Sequence, residues 1–171
     1  MVKFKSMNDA HLHMVVNHFP IIGTIFGLGI LFSGLILKNN SVKNTAYILF
    51  IVCAIFSFVA MYTGEGAEEI VEDMPTIGHQ IIHEHEELAE KFALIMYITG
   101  FFSLISLVAN VKNHKYSRIL SFITLALALV VAILSKPVGT SGGEIRHTEI
   151  RETTEQTIEK QTEIDHNKDF D

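Results

Sequence analysis

Two long stretches of the chain carry no carboxylate. One runs between Asp9 and Glu65, the other between Glu90 and Glu144. Each holds two apolar runs: FPIIGTIFGLGILFSGLIL at 19–37 and AYILFIVCAIFSFVAMYT at 46–63, then FALIMYITGFFSLISLVANV at 92–111 and YSRILSFITLALALVVAILS at 116–135. About 20 apolar residues cross a bilayer as a helix. A soluble bundle of buried helices would instead show polar stripes at helical spacing, and these runs show none. Inside lipid the backbone must satisfy its own hydrogen bonds, so four runs predict four helices. The connections KNNSVKN (38–44) and KNHKY (112–116) are short and predict antiparallel neighbours.

The expected fold is therefore all-α: an antiparallel four-helix transmembrane bundle over residues 1–143. Pro137 and GTSGG (139–143) are expected to end the fourth helix, and residues 144–171 to form a polar tail, loosely helical or disordered. A longer connection, 64–90, broken by Pro75 and Gly78, joins the second and third spans.

Composition agrees. The chain has 171 residues, 49% of them hydrophobic, and a mean hydropathy of +0.33. Its single cysteine, Cys53, falls within a span, which excludes a disulfide framework and a thiolate zinc site. A net charge of −6 without a basic patch argues against a nucleic-acid partner. The first apolar run is too long for a cleavable signal peptide and lacks a small-residue cleavage site. Lys38, Lys43, Lys112, Lys115 and Arg118 lie in or beside the short loops, with no acid among them. That bias places these loops in the cytoplasm and both termini in the periplasm of a bacterial inner membrane. Lys3 and Lys5 pull the other way.

Whatever the orientation, His11, His13, His18, His79, His83, His85 and His147 collect at one end of the bundle. Residues on a helix advance by about 100° each. His79, His83, Glu86 and Glu90 share a wet face, whereas His85 continues through Ala89, Phe92, Met96 and Ser103 and is expected to face the interior. On the first helix His11 and His18 share a face with Ile22, Ile25, Gly29 and Phe32, while His13 points elsewhere. Gly23, Gly27 and Gly34 lie on the opposite side and invite a close neighbour.

Ionisable residues at the edge of a span suggest function. Two imidazoles from two helices, set against apolar walls, are what a bis-histidine b-type haem requires. His18 with His85 is the expected pair, with His11, His83 and His147 as substitutes. The expected role is one-electron transfer rather than catalysis, since no nucleophile–base pair and no phosphate-binding glycine loop is evident. Besides the lipid bilayer, expected partners are quinol, a cytochrome c docked on the acids, or a respiratory-complex subunit, and an oligomer is compatible with the pattern. Nine acids and no Lys or Arg lie between 64 and 90. They support an alternative, a non-haem iron or zinc site at Glu65, Glu69, His85 and Glu86. Met7, Met14, Met61 and Met74 near the same end bring in copper. A cofactor-free accessory subunit is the remaining alternative.

The pattern H13-MVVN-H18-F19-P20-I21, a histidine opening the third span (His85), and GGEIRHTEI at 142–150 resemble the bacterial four-span membrane proteins of domain-of-unknown-function family 2231. Met14 stands where that family has a proline, and Arg146 and His147 where it has an aromatic and glycine stretch. The resemblance covers roughly residues 10–150. It implies a four-span membrane module that works beside redox domains, and hence a b-type haem or electron-transfer role.

Overall fold

The computed structural model describes residues 8–71, 79–147 and 151. Among these the chain forms five helices: α1 (Asp9–Val16), α2 (His18–Ile36), α3 (Asn40–Val71), α4 (His79–Val111) and α5 (Ser117–Arg146). Helices α1 and α2 together make the first of four segments long and apolar enough to cross a membrane; α3, α4 and α5 supply the others. Neighbours α2–α3, α3–α4 and α4–α5 pack along their lengths, and α2 meets α5, which closes an antiparallel four-helix bundle. The protein is a multi-pass membrane protein.

The two short turns end their helices in the same way. Lys38 and Asn113 adopt left-handed conformations, each with φ of 50°. The Asn39 N–H then reaches Gly34 O at 3.0 Å and the His114 N–H reaches Ala109 O at 2.8 Å, which satisfies carbonyls that the helix leaves open. Asn39 also caps α3, its Oδ1 accepting from the Ser41 and Val42 N–H groups at 2.9 and 3.2 Å.

Small and hydroxyl-bearing residues share the interior with large apolar ones, while other large apolar residues face outward. Gly27, Ser57, Thr99, Ser103, Ser106, Ser121 and Thr124 are buried, while Phe26, Phe58, Phe101 and Ile133 are more than half exposed and meet lipid. Lipid tails are as apolar as leucine, so water exclusion does not sort these side chains; close backbone approach and hydroxyl contacts do. The glycine side of α2 lies against α3, as expected. A Cβ on Gly27 would fall 2.6 Å from Phe50 Cε1, and one on Gly23 would strike Cys53 Sγ. Tyr47 and Phe50 fill the centre with Leu31, Met96 and Val131. Tyr47 Oη donates to Ser121 Oγ (2.7 Å), whose own proton goes to Ser117 O, and Ser106 bonds Thr124 at 2.9 Å. Such interhelical bonds contribute on the order of 0.6 kcal/mol each.

Two boundaries differ from the sequence expectation, and both differences build the histidine end. The connection 64–90 is largely helix: α3 continues to Val71 and α4 starts at His79. The fourth helix does not end at Pro137 or the glycines but continues to Arg146. Proline removes one N–H, which costs one backbone bond, and neighbouring helices in a membrane bundle tolerate that loss. The glycines that follow serve contact rather than termination: Gly139 stands beside Ile21 and Gly142 beside His85. Residues 144–146 of the expected tail thus complete α5, and Arg151 donates to the carbonyls of Glu144 and Ile145 near its end. The other residues of the expected tail that the structure describes amount to His147 alone; 148–150 and 152–171 lie outside the described residues.

Candidate functional site

The site is assembled where α1, α3, α4 and α5 meet at the histidine end. Asn8 caps α1, its Oδ1 accepting from the His11 N–H at 2.9 Å. Pro20 in the first turn of α2 leaves Val16 O without its usual partner, but Asn17 keeps helical φ and ψ of −65° and −25° and its N–H bonds His13 O at 2.9 Å, so α1 runs on into α2. The α1 portion of this span packs on α3. Its seat is T63-G64-E65-G66. A Cβ on Gly66 would fall 2.6 Å from Asp9 Oδ2, and one on Gly64 would fall 3.4 Å from His13 Cε1. The two glycines admit two α1 side chains four residues apart, one turn of helix.

His13 points inward. Its Nδ1 lies 2.9 Å from Ala60 O and 3.3 Å from Thr63 Oγ1. A carbonyl only accepts, so Nδ1 carries the proton and Nε2 keeps its lone pair. His85, on α4, has the same arrangement. Its Nδ1 lies 2.8 Å from Ser141 Oγ, and that hydroxyl spends its own proton on Val138 O at 3.2 Å. Ser141 is therefore the acceptor, and His85 too presents an unprotonated Nε2. No hydrogen bond among the described residues engages either Nε2. The His85 ring rests on Gly142, where a Cβ would fall 3.0 Å from Cε1.

Both imidazoles line a cleft of about 730 Å³ together with Pro20, Ile21, Phe92 and Val138, and a smaller hollow of about 200 Å³ walled by α1, α3, α4 and α5. Asn17 lines both cavities, and its Oδ1 is buried without a hydrogen-bond partner. A buried acceptor left open beside a cavity is one that a ligand or an ordered water completes.

The expected site residues distribute as follows. His85 faces inward, as its helical face implied. His18 lines the larger cleft together with His85, but it is exposed and its Nδ1 is turned back to Met14 O at 3.3 Å. His11 is exposed on the same side as His18. His83 is exposed between Glu86 and Glu87, with separations of 3.7 and 3.5 Å. His147 follows the last turn of α5 and lines the larger cleft. Glu65, His85 and Glu86 line the smaller hollow, whereas Glu69 is exposed and does not. Among the described residues no three His, Cys, Asp or Glu side chains converge as a metal ion would require.

His13 and Ser141 are the members that the sequence reading passed over. The signal for His13 was present. It lies on one helical line with Pro20, Thr24, Gly27 and Leu31, all buried, whereas the His11–His18 line continues into Ile22, Ile25 and Phe32, all exposed. In a membrane the small-residue face is the inner one.

The donor set is one that would suit a haem: two imidazoles from different helices, each donating its other N–H to a protein oxygen, beside a largely apolar cleft within the ~300–1,000 Å³ typical of cofactor pockets. Comparison with protein-family models, with curated proteins and with solved structures returned no match.

Proposed function

We propose that this membrane bundle binds a b-type haem between His13 and His85 and serves one-electron transfer. The observation that carries the proposal is the matched state of the two imidazoles: each has Nδ1–H committed to a protein acceptor and Nε2 free beside the same cleft. Ligating histidines are held in this way, because the outer hydrogen bond fixes the tautomer and the ring plane. When bound, a haem supplies one-electron chemistry at its iron. The chain contributes two oriented nitrogens, walls such as Phe92 and Val138 that keep water out, and the open acceptor of Asn17. We place the protein in a bacterial inner membrane with the histidine end on the periplasmic side. The exposed acids around His83 there suit a basic partner such as a cytochrome c, and the resemblance to modules found beside redox domains supports the same reading.

The test is an optical spectrum of protein purified from haem-replete cells, oxidised and then dithionite-reduced, with metal analysis of the same sample. A sharp low-spin b-type spectrum is expected, lost in His13→Ala and in His85→Ala and retained in His114→Ala. A colourless protein overturns the haem; if it holds stoichiometric iron, zinc or copper, a non-haem site around Glu65, His85 and Glu86 takes its place. A wild-type spectrum in both alanine variants overturns the ligand pair.

A further inference from the structure

A second hollow lies outside the bundle, between α2 and α3, at the same end. It measures about 320 Å³ and is lined by His18, Phe19, Ile22, Val52, Cys53 and Phe56, among others. It faces the bilayer, since Phe19, Ile22 and Val52 are exposed side chains of membrane-crossing helices. Phe19 and Phe56, which both line it, stack on each other with ring centroids 4.7 Å apart and planes inclined by 20°, so the lining is partly aromatic. The imidazole of His18 is the one titratable side chain of the lining beside the buried Cys53 thiol. Its Nδ1 is used by Met14 O, which leaves Nε2 for an occupant.

We infer that this groove binds the headgroup of a membrane-soluble quinone. Four features select that class. The groove opens to lipid, so the occupant arrives through the bilayer. The two phenylalanines of the lining supply aromatic contacts suited to a ring. A single hydrogen-bonding imidazole at one edge of an apolar groove matches an isolated carbonyl or hydroxyl oxygen. The lining holds no Lys or Arg, so nothing in it complements a phospholipid phosphate. His18 also borders the cleft that contains His13, which sets the groove beside the proposed haem. The choice of a redox-active occupant rests on the electron-transfer reading; the groove itself does not.

The test uses the quinone analogue 2-heptyl-4-hydroxyquinoline-N-oxide, titrated by fluorescence quenching into purified protein in mild detergent. The chain has no tryptophan, so the probe is read against a low background. Saturable binding is expected, competed by a short-chain ubiquinone or menaquinone, with affinity weakened several-fold in His18→Ala and at least tenfold in Val52→Phe. Val52 is 39% exposed and borders the hollow, so the larger side chain fills the groove without entering the core. The haem spectrum is recorded on the same samples and is expected to be unchanged in Val52→Phe. Probe binding that is absent, or competed by phospholipid rather than quinone, or equal in wild type and both variants, overturns the groove assignment. A colourless protein that still binds the probe separates the two proposals, since it rejects the haem and keeps the groove.

Discussion

His85 Nδ1 lies 2.8 Å from the hydroxyl of Ser141, a residue on the far side of Pro137 in α5. The bond joins a helix that reads clearly in the sequence to a segment whose composition argues against helix. Removing the hydroxyl leaves a partly buried imidazole N–H without an acceptor, at a cost of about 1–3 kcal/mol. Ser141→Ala is therefore expected to lower the unfolding temperature in detergent and to weaken haem retention. Thermal melts and haem-to-protein ratios measure both, and wild-type values in each would remove Ser141 from the site.

The two glycines beside the imidazoles give a graded prediction. A methyl on Gly142 falls 3.0 Å from the His85 ring, a methyl on Gly64 3.4 Å from the His13 ring. The first displaces its ring by a few tenths of an ångström; the second is near ordinary contact. Gly142→Ala is expected to broaden or shift the low-spin spectrum more than Gly64→Ala. The reverse order would show that the rings are not held by these contacts.

Asn17 Oδ1 and Ser103 Oγ are buried polar atoms without hydrogen-bond partners, but they sit in different places. Ser103 lies within the bundle, where replacement by alanine removes a desolvated hydroxyl and is expected to be neutral or stabilising by up to about 1 kcal/mol. Asn17 borders the cleft. Asn17→Ala is expected to reduce haem occupancy while leaving the ligand-free protein at least as stable. Unchanged occupancy would mean that only water meets this acceptor.

Helix α2 offers a matched pair of glycines. A Cβ on Gly27 would collide with the Phe50 ring, whereas Gly29 has nothing within 4 Å. Gly27→Ala is expected to destabilise the bundle by about 1–3 kcal/mol. Gly29→Ala is expected to be neutral or to stabilise by up to about 1 kcal/mol through helix propensity. Unfolding in mixed detergent micelles ranks the two, and equal effects would contradict the packing of α2 on α3.

Orientation can be tested with single cysteines at Asn40 and Asn113, because the native Cys53 is buried and gives little background. In intact bacterial cells an impermeant thiol reagent is expected to label neither position until the inner membrane is opened. Labelling from outside would turn the histidine end towards the cytoplasm.

The bundle was readable because acids are absent from two long stretches, and lipid imposes that absence more strictly than packing imposes any pattern in water. The wet face of α4 and the inward turn of His85 followed from the helical repeat. The first helix was harder. A soluble-protein habit puts Ile22, Ile25 and Phe32 inside and so carries His18 with them, but these side chains face lipid. The glycine line through Gly27 was the inner one, and His13 lies on its continuation. Ser141 was hidden for another reason: Pro137 and three nearby glycines are ordinary helix-ending residues in water, and only packing against α2 and α4 shows why the helix continues.

The proline early in the first span removes one backbone bond beside His13 and none beside His85. His85 lies on α4, whereas His13 lies in the first turns of the first span, before that proline, and rests on α3 at two glycine seats. Anything that lifts α1 from α3 carries one imidazole away and leaves the other in place. Whatever the cleft holds would therefore be gripped firmly from α4 and released, if at all, from the α1 side.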